Sequence, residues 1–94
     1  MVKTLMYHKV ESFDRWKAAF DGFIEIRKKG GELDFALGTL QGAPNTPYVI
    51  NTWESMEALN AFLGAEDLKE AMGAAGVLEP PTIIILNELE KGVL

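Results

Sequence analysis

The chain repeats itself. Val10-Glu11-Ser12-Phe13-Asp14-Arg15-Trp16-Lys17-Ala18-Ala19-Phe20 aligns with Trp53-Glu54-Ser55-Met56-Glu57-Ala58-Leu59-Asn60-Ala61-Phe62-Leu63. Glu, Ser and Ala coincide, and Phe/Met, Asp/Glu, Trp/Leu and Phe/Leu are like for like. In each copy a Ser follows an apolar-rich run and precedes a run with helical spacing. That pattern is a strand passing into a helix, twice. It constrains the chain to two β-α-β halves related by a pseudo-twofold.

The punctuation between the runs supports this. Val2 to Val10 reads as a first strand. Ser12 is an N-cap, and Asp14 places negative charge in the first turn, while Arg15 at the third position precludes a full capping box. Phe13, Trp16, Phe20, Phe23, Ile24 and Arg27 follow at helical spacing. Lys28-Lys29-Gly30-Gly31 stops the helix, with cations in the last turn and then glycine for a left-handed cap. Leu33 to Leu40 is a second strand, Gly42 to Pro47 a turn, and Tyr48 to Trp53 a third strand in a hairpin with the second. Ser55 caps a second helix carrying Met56, Leu59, Phe62 and Leu63. Gly64 breaks it, and Leu68, Ala71, Met72 and Ala75 continue an apolar face to Gly76. Pro80-Pro81 blocks any further helix, and Thr82 to Leu86 is the last strand.

The order β-α-β-β-α-β predicts an α+β, ferredoxin-like domain over residues 1–94, with a four-stranded antiparallel sheet. Ile83 and Ile85 point one way and Ile84 and Leu86 the other, so the last strand is apolar on both faces. Two helices cover only one face of such a sheet. The simplest cover for the other is the same face of a second copy, an isologous homodimer.

Charge and composition narrow the partners. The net charge of -5 opposes binding to nucleic acid and to anionic membrane. Without cysteine there is no disulfide framework, thiolate nucleophile or thiolate metal site. One histidine without neighbouring ligands does not build a metal centre. No apolar run reaches membrane-spanning length and the N-terminus lacks a long apolar leader region, so a soluble cytoplasmic protein is the expectation. No phosphate loop and no nucleophile elbow is present.

Asn51-Thr52-Trp53-Glu54-Ser55-Met56-Glu57-Ala58-Leu59, with Leu68-Lys69-Glu70-Ala71-Met72 further on, resembles the dimeric α/β-barrel superfamily, which includes antibiotic-biosynthesis monooxygenases. The resemblance covers nearly the whole chain. It implies two ferredoxin-like sheets pairing as a dimeric α/β barrel. It also implies where functional residues would sit. In cofactor-free quinone-forming members an Asn and a Trp lie four apart on the third strand, with a Tyr on the following helix. Here Trp53 matches, Val49 stands at the Asn position and Leu59 near the Tyr; Asn51 shares the strand face of Trp53. In haem-degrading members a helical Trp precedes a haem-ligating His by ten residues. Here Phe62 and Met72 stand at those positions, which removes the axial ligand and argues against haem degradation. No cofactor and no metal is expected.

The residues left to carry chemistry are few. His8 is either a general base lining a pocket or a histidine at a strand edge or dimer contact; its ordinary pKa of about 6.5 suits proton transfer. Trp53 is either core or the wall of a ligand cavity. Trp16 reads as core on the first helix or as ligand contact. Phe13, Phe20, Phe23, Phe62 and Met72 form an apolar wall between helices and sheet, a helical spacing that equally describes core. Asp34 and Asn51, polar positions within strands, are either pocket groups or solvent-facing or dimer-edge residues. Two functions follow. One is a small homodimer binding a small, largely apolar or aromatic molecule, as a cofactor-free oxygenase or proton-transfer enzyme with His8 as base and Trp53 and Asn51 positioning the substrate. The other is a non-catalytic binding module with a regulatory or stress-related role.

Overall fold

The computed structural model describes residues 2–94. The elements are β1 (Val2–Tyr7), α1 (Phe13–Gly22), α2 (Ile24–Lys29), β2 (Glu32–Leu40), β3 (Ala43–Trp53), α3 (Met56–Leu63), α4 (Glu66–Ala74) and β4 (Thr82–Asn87). They form one antiparallel sheet in the order β2-β3-β1-β4. This is the ferredoxin-like arrangement, with each helical arm in two pieces.

The repeat marks the two strand-to-helix passages. The Ser12 hydroxyl accepts from the Arg15 N–H, and the Ser55 hydroxyl accepts from the Ala58 N–H. Each satisfies one of the donors that the first helical turn leaves open. The glycine stop after α2 is also present: Gly31 has φ 100°, a conformation other residues adopt only with strain. Gly31 has no room for a side chain either, because a Cβ there would lie 2.8 Å from Glu54 Cγ. The α2 end is thereby seated against the start of α3.

Three sequence expectations need correction. The first helix does not run unbroken to Lys29. It breaks at Phe23 (φ -92°, ψ 3°), where the N–H bonds back to the Phe20 carbonyl in a tighter turn. Gly22, a poor helix former, precedes the break. The first strand ends at Tyr7, and Val10 makes only an isolated bridge to Val77. Only Gly42 of the Gly42–Pro47 segment belongs to the turn. Chain reversal takes place at Gln41-Gly42, and β3 already begins at Ala43. Proline is tolerated there because the pairing skips: Thr39 faces Pro47 and Leu40 faces Ala43, leaving Pro44 to Thr46 outside the ladder. That excursion has a use. The Asn45 side-chain oxygen accepts from the Phe13 N–H at 3.0 Å and so holds the start of α1.

The helices cover one face of the sheet. Val10, Trp16, Val49 and Ala75 are buried there, with Met6, Phe13, Phe20 and Leu37 packed around them. The other face, which includes Leu5, Ile50, Ile84 and Leu86, carries no helix among the described residues. In β4 the apolar side chains on both faces stay open: Ile83, Ile84, Ile85 and Leu86 are 37–50% exposed.

Candidate functional site

A cavity of about 250 Å³ lies between the helices and the covered face of the sheet. Alternation along the strands dictates its floor. Thr4, Met6 and then His8 project from β1 and its extension, Val49, Asn51 and Trp53 from β3, and Ile83 from β4. Trp16, Phe20, Phe62, Leu68 and Met72 close the roof from the helices. The wall is therefore mostly apolar, with polar groups at two places.

His8 is the first. It is 1% exposed, and neither ring nitrogen has a hydrogen-bond partner among the described residues. Its ring meets the edge of Trp16, with centroids 6.3 Å apart at 88°. Burial pushes its pKa below the usual value, against a smaller upward pull from Glu79. At neutral pH the ring is uncharged, so one nitrogen is a free acceptor.

The second is a chain of buried groups at the opposite end of β1. Trp53 Nε1 donates to Thr4 Oγ1 at 3.1 Å, Thr4 donates to Asn51 Oδ1 at 2.8 Å, and Asn51 Nδ2 donates to Glu32 Oε2 at 2.7 Å. Chemistry fixes its direction. The indole N–H can only donate and a carboxylate can only accept, so every proton between them points toward Glu32. Arg27 Nε lies 2.8 Å from Glu32 Oε1, with both side chains almost wholly buried. Arg27 also donates to the Phe20 carbonyl, and its guanidinium sits 3.7 Å from the Phe20 ring centroid and 4.9 Å from that of Phe35. Burial raises the Glu32 pKa, while the Asn51 hydrogen bond and the Arg27 charge oppose the rise and Asp34 adds to it.

The structure brings His8, Trp53, Asn51, Trp16, Phe20, Phe62 and Met72 to one cavity wall. Trp16 belongs to both the core and the wall. Asp34 lies exposed opposite Thr52, which occupies the other strand face from Asn51 and Trp53. Sequence reasoning missed Thr4, Arg27 and Glu32. For Arg27 a signal existed: a cation on the apolar stripe that runs through Trp16, Phe20 and Phe23 is out of place at a solvated helix end. Among the described residues no group of three or more His, Cys, Asp or Glu side chains is placed to hold a metal ion. No helix among them is long and apolar enough to cross a membrane.

No family model matches the chain, and no curated protein matches it by sequence. Solved structures match its fold over nearly its whole length. An antibiotic biosynthesis monooxygenase aligns with TM-score 0.75 at 17% identity, covering 96% of this chain and 100% of that one. SnoaB of Streptomyces nogalater, a cofactor-independent oxygenase, aligns with TM-score 0.77 at 12% identity, covering 96% and 94%. A conserved protein from Methanosarcina mazei aligns with TM-score 0.74 at 15% identity, covering 94% and 92%. The chain has the ferredoxin-like fold of the antibiotic biosynthesis monooxygenase structures.

Proposed function

We propose that this protein is a homodimer that binds a small, largely apolar or aromatic molecule in the cavity, and that it acts there as a cofactor-free monooxygenase-like enzyme. His8 is the base, and Asn51 and Trp53 position the substrate. One observation carries the reading. A buried imidazole without a partner costs stability, about 1–3 kcal/mol, and this one lines a cavity that is otherwise mostly apolar. A ligand hydroxyl or acidic C–H would supply the missing partner. Proton transfer to the free ring nitrogen leaves an electron-rich anion, the form of an aromatic substrate that reacts with dioxygen. The likeness in fold to a cofactor-independent oxygenase agrees with this chemistry. Size agrees too: about 250 Å³ exceeds the ~150 Å³ that holds benzene in an apolar cavity, so one or two rings fit. The open face of the sheet and the exposed apolar residues of β4 support the dimer.

Native mass spectrometry of gently purified protein, followed by oxygen uptake with simple hydroquinones, tests the proposal. A dimer carrying small-molecule mass, with uptake that scales with protein and is lost in His8→Ala, is the expected result. Silence across the panel would favour the second reading, a non-catalytic binding module. Val49 and Leu59 favour that second reading: both are buried and line the cavity at the places where the resemblance implies Asn and Tyr.

A further inference from the structure

The Glu32 carboxylate reaches Asn51 only because of a local irregularity in β2. Glu32 pairs with Trp53 and Asp34 pairs with Thr52, so two steps on β2 match one step on β3. Leu33 is the extra residue of a β-bulge, and it is left exposed. Side chains alternate along a strand. Counted back from Phe35, which pairs with Asn51, a regular strand would turn Leu33 toward the cavity and Glu32 toward the open face. The bulge reverses this and re-aims the carboxylate, a use bulges commonly have beside functional sites.

The consequence is a defined polarity at this end of the cavity. The Thr4 hydroxyl proton is committed to Asn51 and the Trp53 N–H to Thr4. Asn51 spends one amide hydrogen on Glu32 and has a second. The guanidinium has five N–H groups; one donates to the Phe20 carbonyl, while Glu32 is held by charge at 2.8 Å from Nε without a hydrogen bond, and the remainder are uncommitted. The protons left for a ligand are thus all N–H, and one of their sources is a cation. We propose that Glu32 is a positioning residue that holds Asn51 and Arg27 as a donor pair, and that the ligand carries a carbonyl or similar oxygen acceptor at this end of the cavity. This rests on the reading of the cavity as a ligand site.

Acetophenone and ethylbenzene, which differ in that one oxygen, are the probes. Their affinities are measured by calorimetry on the wild type, on Glu32→Gln, and on the double variant Arg27→Met/Glu32→Leu. The double variant replaces the ion pair with apolar groups of similar size, an exchange that commonly preserves folding, so the test survives if Glu32→Gln does not fold. The acetophenone-to-ethylbenzene affinity ratio should fall about tenfold in the variants, the worth of one good hydrogen bond. In the wild type the infrared carbonyl band of bound acetophenone should lie below its position in alkane solvent, and it should return toward that position in the variants. A merely structural role for Glu32 would move neither reading in Glu32→Gln. Binding of both probes with an unchanged ratio and an unshifted band would overturn the donor-pair inference and leave the cavity reading standing. Binding of neither probe to the wild type would overturn the cavity reading, and the inference with it.

Discussion

His8→Phe should make the protein more stable. The phenyl ring keeps the edge contact with Trp16, worth about 0.5–1.5 kcal/mol, and removes two buried nitrogens that have no partners. The cavity beside it accommodates the larger ring. Relief of the unsatisfied groups is worth about 1–3 kcal/mol. For a domain of this length each kcal/mol moves the midpoint by roughly 4–8 °C, so the melting temperature should rise by roughly 4–24 °C. The gap should widen in acid. The folded-state pKa of His8 is depressed below 6.5, so the unfolded chain binds the proton more readily. Wild-type stability is then fully present above pH 6.5 and falls as the pH drops from there toward the folded-state pKa. The variant lacks that slope. Calorimetric melts of both proteins between pH 5 and 8 decide the matter. A variant that melts lower at pH 7, or a gap that does not depend on pH, would refute the argument that His8 is an unpaired, neutral, costly group.

Three further outcomes are expected. Glu32→Gln should lose about 3–5 kcal/mol in urea unfolding because it strands a buried Arg27, whereas Arg27→Met/Glu32→Leu should stay within about 1 kcal/mol of wild type or exceed it. Gly31→Ala should cost at least 1–2 kcal/mol by the same measurement, roughly the penalty of a left-handed backbone carrying a Cβ, because φ is 100° and Glu54 occupies the space. Ile84→Glu, on the open face, should convert the proposed dimer to a monomer in light scattering while leaving the circular dichroism of the fold intact; a wild type that is monomeric, or a variant that stays dimeric, would mean that this face is not an interface.

What the sequence reveals follows what is periodic or punctuated. Ser12, Ser55, Gly31 and Gly64 act through local backbone chemistry, so the helix starts and stops are legible from neighbouring residues. The alternation in β4 and the spacing of Trp16, Phe20, Phe62 and Met72 likewise give the faces of their elements. Two things escape such reading. The Gly42–Pro47 segment looks like a turn by composition, yet from Ala43 on it extends β3, because the ladder can skip residues where no pairing is demanded. The Glu32–Arg27 pair depends on the Leu33 bulge, which exists only once β2 is set against β3. Asn51 could be placed on the right face from Trp53 alone, but its partners Thr4 and Glu32 come from strands on either side of it.

The exposed β4 strand bears on how this protein resists aggregation. Thr82-Ile83-Ile84-Ile85-Leu86-Asn87 lies at the sheet edge and is uncharged, rich in β-branched residues and free of proline. Short segments of that composition are the seeds of cross-β aggregation when left unpaired. The flanks oppose it: Pro80-Pro81 cannot extend a ladder, and Glu88, Glu90 and Lys91 charge the other side, in the manner of gatekeeper residues. Expression at high concentration, and any variant that loosens this edge, will therefore be limited by precipitation before it is limited by loss of the native fold.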